Sequence, residues 1–388
     1  MKAIRKIKYI LLILIAIMIG VAVAAITHNH DVKSPWWGHL LVVIGSIFLT
    51  LTIHELAHAF TFSIQKIKIK AVYLFMFMFI RKGRIFTLKI NPKLLLLGGG
   101  LVVPLMPPVT NDQELEDIGK KLAKALIAAP ITSIVFGFLT FIIFMIILLF
   151  SNNFTFISLM ITATIVILLL TVLVIVASSA SNEQAAGDFV AFQKVKNDRD
   201  YLIQIISSYI VFNPEAEVLS KDYLLNKKID YMLDKGLSYN LITYSYLIDY
   251  LEGVIFENKL RNESLDNQIF CLNKNILSRS NEGISVLFLI SYLHYLSGDD
   301  DKTFELLDYI KNIKHPKVSQ KYLEHELKRA YHLLNISDET EFLKSYHDIE
   351  LGLNWIFAPL FDNKDGNLLN IKLKKGIKIP KINFYNKL

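Results

Sequence analysis

The feature that most constrains this chain is a set of four long apolar runs in its first half. Each run is long enough to cross a bilayer as a helix; they cover residues 9–26, 36–64, 125–150 and 154–181. Beyond residue 182 the chain is polar and helix-prone, and long enough to bury a core of its own. The sequence therefore predicts a mainly α fold, with a polytopic helical membrane domain of about four spans followed by a soluble helical domain.

Domain boundaries follow from the same changes in composition. Residues 1–30 contain the first run, which is either a span or a signal peptide; no small-x-small cleavage site precedes a soluble domain, which favours a span. Residues 31–197 should complete the membrane domain, 198–360 should form a cytoplasmic helical domain, and 361–388 form a basic tail. The tail could lie on anionic lipid or form a terminal strand.

The composition indicates the redox compartment of the protein and the kinds of partner it binds. Hydrophobic residues make up 53% of the 388 residues, and the formal net charge is +7. Many lysines flank apolar runs, which suits the headgroups of a lipid bilayer, and no basic motif interleaved with aromatic residues predicts nucleic-acid binding. The single cysteine, Cys271, excludes an intrachain disulfide and fits a reducing compartment. Richness in lysine, isoleucine and asparagine is typical of AT-rich bacterial genomes.

The distribution of lysine and arginine orients the spans. Four basic residues precede the first run and many more lie between Lys66 and Lys124, whereas the turns after the first and third runs are nearly free of them. Because basic segments stay on the cytoplasmic side of the cell membrane, the N-terminus and the C-terminal domain are expected to be cytoplasmic. His54 lies roughly 27 Å along the second run at the helical rise, so it should lie in the membrane near the cytoplasmic face.

The second run contains an HExxH motif, His54-Glu55-Leu56-Ala57-His58. Two histidines four residues apart on a helix project from one face and can bind one Zn²⁺, and the glutamate is placed to deprotonate a water on the metal. Ionisable groups are costly in hydrocarbon, so three of them in five residues indicate a functional site. The alternatives are a polar cluster that bridges helices and a metal site without catalysis.

A zinc hydrolase needs a third protein ligand and leaves the fourth position for water. The other histidines of the first half lie toward the opposite face, so the candidates are carboxylates at the cytoplasmic end of the fourth run. Asp188 is the favoured ligand, and Glu183 is the alternative. Asp188 could instead cap the helix that begins at Phe189.

These motifs resemble those of the site-two proteases, polytopic zinc peptidases that cleave substrates within or beside the membrane. In that family a span with HExxH is followed by a later span that supplies an aspartate, as Asp188 follows the fourth run here. Residues 128–133, Ala-Ala-Pro-Ile-Thr-Ser, are similar to the family's Ala-Gly-Pro-x-x-Asn. Residues 98–104, Gly-Gly-Gly-Leu-Val-Val-Pro, are similar to its Gly-Gly-x-Val-x-Pro. The resemblance covers about residues 36–195.

The resemblance implies one Zn²⁺ per chain held by His54, His58 and Asp188, with Glu55 as the catalytic base. Three departures from the family's pattern are visible. The aspartate occurs as Gly-Asp where the family has Asp-Gly, and no proline precedes it. Ser133 stands where the family often has an asparagine that helps to hold the active site. The group that stabilises the oxyanion is left unassigned.

Between the second and third runs the pattern becomes that of β-structure. Residues 66–70 alternate with period two, the apolar run 71–80 is β-prone, and a turn at 81–84 precedes another short run at 85–90. This predicts a small hairpin or sheet at the membrane surface, and the resemblance implies that it borders the active site. Its edge could pair with an unwound substrate, or the sheet could only brace the domain. The glycines at 98–100 and the prolines after them predict an irregular loop lining the site.

The cytoplasmic part carries a weak internal repeat. Residues 292–299 precede 304–307, and a similar arrangement of 330–334 and 342–343 recurs 38 residues later. This rhythm is typical of tetratricopeptide-type repeats, and a plain helical bundle is the alternative. Either could present substrates or bind a cytoplasmic regulator.

The sequence thus predicts an intramembrane zinc endopeptidase. Its substrate is expected to be a membrane protein or a membrane-retained peptide, cleaved near the cytoplasmic face. Two alternatives stay open: a membrane zinc peptidase of another class with Glu183 as the third ligand, and a non-catalytic membrane adaptor whose helical domain binds partners.

Overall fold

The computed structural model describes residues 35–97, 99–181, 186–257, 259–316, 318–336 and 354–360. The predicted first span, the alternative ligand Glu183 and the basic tail lie outside the described residues. Two compact units divide the described chain. The first contains residues 35–107 and 112–213, and the second contains 108–111 and the residues from 214 onward.

Three helices of the first unit are long and apolar enough to cross a membrane. They are α1 (Trp36–Ile64), α2 (Asp112–Phe150) and α3 (Phe154–Ser178). The prediction of apolar helices over the second, third and fourth runs is therefore confirmed. The helix α2 begins 13 residues before its apolar run. Asp112 and Glu114 lie in its first turn, where their negative charges stabilise the positive end of the helix dipole. Large apolar side chains on all three helices are exposed, as on a lipid-facing surface.

Small and hydroxyl side chains lie where these helices pack together. A Cβ at Gly137 of α2 would come within 2.6 Å of the Thr171 hydroxyl of α3, so the glycine permits this close contact. The Thr171 hydroxyl donates to the Ile167 carbonyl of its own helix at 2.9 Å. A hydroxyl that donates to a carbonyl of its own helix needs no other partner in hydrocarbon, and its small side chain lets neighbouring helices pack closely.

The end of α1 turns the chain directly into a β-sheet. Lys66 has a left-handed φ of 62°. Its N–H donates to the Ser63 carbonyl at 3.0 Å, and the N–H of Ile67 donates to the Phe62 carbonyl at 2.9 Å. This Schellman motif satisfies two carbonyls at the end of the helix and places the first strand two residues beyond it.

The sheet has four antiparallel strands in the order β3-β2-β1-β4. They are β1 (Lys68–Leu74), β2 (Phe77–Lys82), β3 (Ile85–Ile90) and β4 (Gly100–Leu105). The predicted small sheet is confirmed, but the apolar run at 71–80 forms parts of two strands. Phe75 turns the chain between them with a φ of 55°, and its ring stacks on Phe48 of α1 with centroids 5.1 Å apart.

The expectation of an irregular loop formed by the glycines at 98–100 and the prolines after them is wrong for Gly100–Leu105, which forms β4. A 3₁₀ helix, Pro92–Leu97, precedes this strand. Pro104 is tolerated because β4 is an edge strand, where a missing N–H costs no ladder bond. Its partner is Ile69 of β1, next to a bulge between Ile69 and Ala71.

Two shorter helices complete the first unit. They are α4 (Asp188–Asn197), which packs on α2, and α5 (Arg199–Ile210), which contacts β4. The Asp198 side chain caps α5, because it accepts hydrogen bonds from the N–H groups of Asp200 and Tyr201 at 3.0 Å.

The second unit is helical throughout the part of it that the structure describes. Its helices are α6 (Pro214–Lys235), α7 (Leu241–Glu257), α8 (Glu263–Phe270), α9 (Lys274–Leu277), α10 (Asn281–Leu296), α11 (Asp300–Lys311), α12 (Gln320–Leu333) and α13 (Asn354–Phe357). The centre of its core contains the fully buried rings of Tyr246, Tyr250 and Tyr292. The prediction of a helical second part is confirmed.

The weak repeat falls on helices with the same kind of ending. Two residues after the end of α10, Gly298 has a left-handed φ of 79°, and two residues after the end of α12, Asn335 has a φ of 60°. In both cases the next residue donates back to a carbonyl of the last turn, at 3.0 Å for Asp299 and 2.8 Å for Ile336. The second copy's residues 342–343 lie outside the described residues.

Candidate metal centre

Three predicted ligands come together in the first unit. The ligand atoms of His54, His58 and Asp188 all lie within 4.8 Å of one another. Asp188 Oδ2 is 3.2 Å from His54 Nε2 and 3.6 Å from His58 Nε2. The four-residue spacing on α1 places both imidazoles on one face, with ring centroids 5.2 Å apart and the rings nearly perpendicular.

The other ring nitrogen of each histidine is hydrogen-bonded to α2. His58 Nδ1 lies 2.8 Å from the Ala125 carbonyl oxygen, which only accepts, so Nδ1 carries the proton. His54 Nδ1 lies 3.0 Å from Ser133 Oγ, and the Ser133 hydroxyl donates to the Ala129 carbonyl at 3.1 Å. Because that hydroxyl proton is already used, His54 Nδ1 donates as well. With Nδ1 as the donor, the Nε2 atom of each ring in its neutral form presents a lone pair toward Asp188.

The position of Asp188 depends on close packing at the end of α3. The N–H of Gly187 donates to the Ala180 carbonyl at 2.8 Å. A Cβ at Gly187 would overlap the carbonyl oxygen of Ala177 and lie 2.6 Å from that of Ser178, so only glycine fits here.

Glu55 is held beside the cluster by the first residue of β4. The backbone N–H of Gly100 donates to the Glu55 carboxylate. A Cβ at Gly100 would overlap Glu55 Cγ and lie 2.6 Å from the Tyr73 carbonyl oxygen. The glycine therefore lets the backbone of β4 approach the carboxylate, and the glutamate side chain is buried, with 7% of its surface exposed.

The four predicted residues line a cavity of about 280 Å³. Its remaining wall is largely apolar, with contributions from all three spans and from β4. These side chains are Phe62, Leu101, Val102, Leu122, Leu126 and Val174. A mostly apolar cleft with a few convergent polar groups is the usual form of a ligand site.

The structure brings together all the predicted site residues that it describes. His39 is separate from them, because its Nδ1 lies 2.8 Å from the Thr162 hydroxyl of α3. Sequence reasoning missed the contacts made by Ala125 and Gly100, because a backbone carbonyl or N–H has no residue-type signal. It also missed Tyr209, which lines the cavity from α5 and belongs to no motif.

Comparison with known proteins places this arrangement among the membrane metallopeptidases. A family model described as Peptidase family M50 matches residues 42–332, which is most of the chain. The chain belongs to peptidase family M50, the site-two protease family, so the predicted resemblance is confirmed. The metallopeptidases of this family use zinc. No curated protein and no solved structure matches the chain significantly.

Proposed function

We propose that this protein is a zinc endopeptidase that cleaves a membrane protein or membrane-retained peptide near the cytoplasmic face of the bilayer. The observation that carries the proposal is the convergence of three acceptor atoms, from His54, His58 and Asp188, on one point. Three lone pairs that face one another repel unless a cation lies among them. Two imidazoles and a carboxylate are a ligand set that zinc hydrolases use.

The donor chemistry around the cluster fits that ion. Each imidazole donates from Nδ1 to a fixed oxygen on α2, which sets its tautomer and aims Nε2 at the centre. When bound, zinc would supply Lewis acidity and make water more acidic at this point. Glu55 would take a proton from the attacking water and deliver it to the leaving amine, while the Gly100 N–H holds its carboxylate in place.

The form of the cavity supports a peptide substrate. Gly100, Leu101 and Val102 line it, and they belong to β4, the edge strand of the sheet. An extended segment can add to such an edge through main-chain hydrogen bonds, which would place its backbone beside Glu55. A helical substrate must be unwound before its peptide bond can reach this point. The helical second unit would act on the cytoplasmic side, by presenting substrates or binding a regulator.

Metal content tests the ligand assignment. The zinc bound by purified full-length protein should be about one ion per chain, and Asp188→Ala should lose most of it. Glu183→Ala is the matched control, because it removes a carboxylate only five positions earlier in the sequence that the proposal leaves out of the centre. Loss of zinc in Glu183→Ala with retention in Asp188→Ala would instead assign the third ligand to Glu183.

Turnover tests the peptidase activity. Glu55→Gln should keep its zinc and lose about 10²–10⁴-fold in rate, the range expected for removal of a general base. Membrane peptides from cells with wild-type protein and with Glu55→Gln can be compared by mass spectrometry. A client should accumulate uncleaved in the variant; identical peptide profiles would favour a non-catalytic adaptor.

A further inference from the structure

Tyr209 is the ionisable side chain on the described cavity wall to which the proposed mechanism gives no part. It lies in the last turn of α5 and lines the cavity with Glu55 and Asp188. The helix α5 contacts β4, the strand whose Gly100 N–H holds Glu55. The fold therefore brings a phenol to the wall of the cavity in which the peptide bond would be cleaved.

The phenol of Tyr209 is a hydrogen-bond donor at neutral pH. Burial raises its pKa to about 12, and Tyr201, Asp188 and Glu55 act in the same direction. Tyr209 shares the cavity wall with Asp188 and Glu55. Because the hydroxyl stays protonated, it can donate to an oxygen on which negative charge develops.

The structure leaves this donor available. Within the described residues, the Tyr209 hydroxyl makes no hydrogen bond to another protein group. Buried phenols usually find a partner, so the hydroxyl of a tyrosine that lines a cavity can be satisfied by a ligand bound there.

The other short-range donors around the centre are already engaged. The Ser178 hydroxyl is directed at Asp188 Oδ2, 3.5 Å away. The Ser133 hydroxyl donates to the Ala129 carbonyl and accepts from His54. The Gly100 N–H donates to Glu55. Of the two described hydroxyl side chains that line the cavity, Ser178 is directed at Asp188, which leaves Tyr209 as the donor for a substrate.

Cleavage of a peptide bond requires such a donor. As water attacks, the carbonyl oxygen gains negative charge, and a single well-placed donor to that oxygen typically accounts for 10²–10³-fold in rate. We propose that Tyr209 is a catalytic residue that donates a hydrogen bond to the oxygen of the scissile carbonyl. The inference rests on the proposed function and supplies the oxyanion-stabilising group that the sequence leaves unassigned.

A phosphinic pseudopeptide with apolar side chains tests this role. Its tetrahedral phosphinate carries charged oxygens that resemble the attacked carbonyl, so its affinity reports on the donor without requiring a known client. Binding is measured by calorimetry to zinc-loaded, detergent-purified full-length protein. The variants are Tyr209→Phe, which removes only the hydroxyl, and Tyr201→Phe, a matched control on the same helix that does not line the cavity.

Tyr209→Phe should weaken phosphinate binding about ten- to a hundredfold, as expected for a lost hydrogen bond to a charged group. Its zinc affinity should equal that of wild type, and Tyr201→Phe should bind the phosphinate as wild type does. Unchanged binding in Tyr209→Phe, or an equal loss in Tyr201→Phe, overturns the assignment while the proposed function stands. Failure of zinc-loaded wild type to bind the phosphinate would overturn both.

Discussion

The two units both bury ionisable side chains, but they satisfy them in different ways. In the first unit, His54 and His58 of α1 and Asp188 of α4 converge from two helices and line a cavity. In the second unit, Glu326 pairs with neighbours on the same helix, α12. Its carboxylate lies 3.3 Å from His325 Nδ1 and 2.8 Å from Arg329 Nη1. Charges neutralised within one helix serve stability, whereas acceptors that converge from two helices form a site for a ligand.

The largest effect expected from this contrast is on the stability of the second unit. Glu326→Ala should remove the buried carboxylate that pairs with Arg329 and His325 and destabilise the unit by about 3–5 kcal/mol, the usual cost of breaking a buried ion pair. Urea unfolding followed by circular dichroism measures this loss. Glu324→Ala, an exposed glutamate on the same helix, is the control and should change little. Zinc content should be unaffected by either change.

The pairing of Glu326 with Arg329 and His325 predicts that this unit loses stability at acid pH. Burial raises the pKa of Glu326, but the charge of Arg329 and the hydrogen bond from His325 lower it below its ordinary value of 4.5. Because the folded-state pKa is depressed, the stabilisation is present above pH 4.5 and is lost as the pH falls through the folded-state value. Glu326→Gln should make the free energy of unfolding less dependent on pH in the acid range. An unchanged pH dependence would show that the ion pair contributes nothing to stability.

In the first unit, the next largest effect should come from the backbone beside Glu55. Gly100→Ala inserts a Cβ where Glu55 Cγ lies, so the carboxylate must move. A displacement of about 1 Å can cost roughly 100-fold in rate, measured as slower processing of a client, with zinc retained. Gly99→Ala is the control, because nothing lies within 4 Å of a Cβ there. Equal activity of Gly100→Ala and Gly99→Ala would show that the glycine at position 100 is not needed for catalysis.

The smallest predicted effect concerns the orientation of one imidazole. Ser133→Ala removes the hydroxyl that holds His54 Nδ1 at 3.0 Å, and loss of such a partner typically weakens metal binding 10- to 100-fold. We expect the lower end, because His58 keeps its backbone partner. Competition with a zinc chelator measures the affinity. Thr140→Ala, which removes a hydroxyl bonded only to the Phe136 carbonyl of the same helix, should leave it unchanged.

Much of the fold could be predicted because its signals are local. Hydropathy over a window of about 20 residues marks a span, and an alternating run marks a strand. The strand at Gly100–Leu105 was missed because three glycines and several prolines favour loops, while its actual conformation depends on pairing with β1, which is distant in sequence. Tertiary pairing overrode local propensity at this point.

The site residues also differ in whether local sequence patterns could predict them. Helical spacing alone places His54 and His58 on one face and puts Glu55 between them in sequence. The choice of Asp188 required a topological argument, because 130 residues separate it from His58. Ser133 was visible only through the family resemblance, and Tyr209 gave no signal because its part in the cavity arises from how α5 packs against β4.

The distance along the chain between the two halves of the metal centre has a consequence for biogenesis. A ribosome adds about 5–20 residues per second, so the histidine helix enters the bilayer well before codon 188 is read. During that interval a nascent chain holds an incomplete chelate and is proteolytically silent. The complete set of proposed ligands therefore exists only after the three described spans have been synthesised.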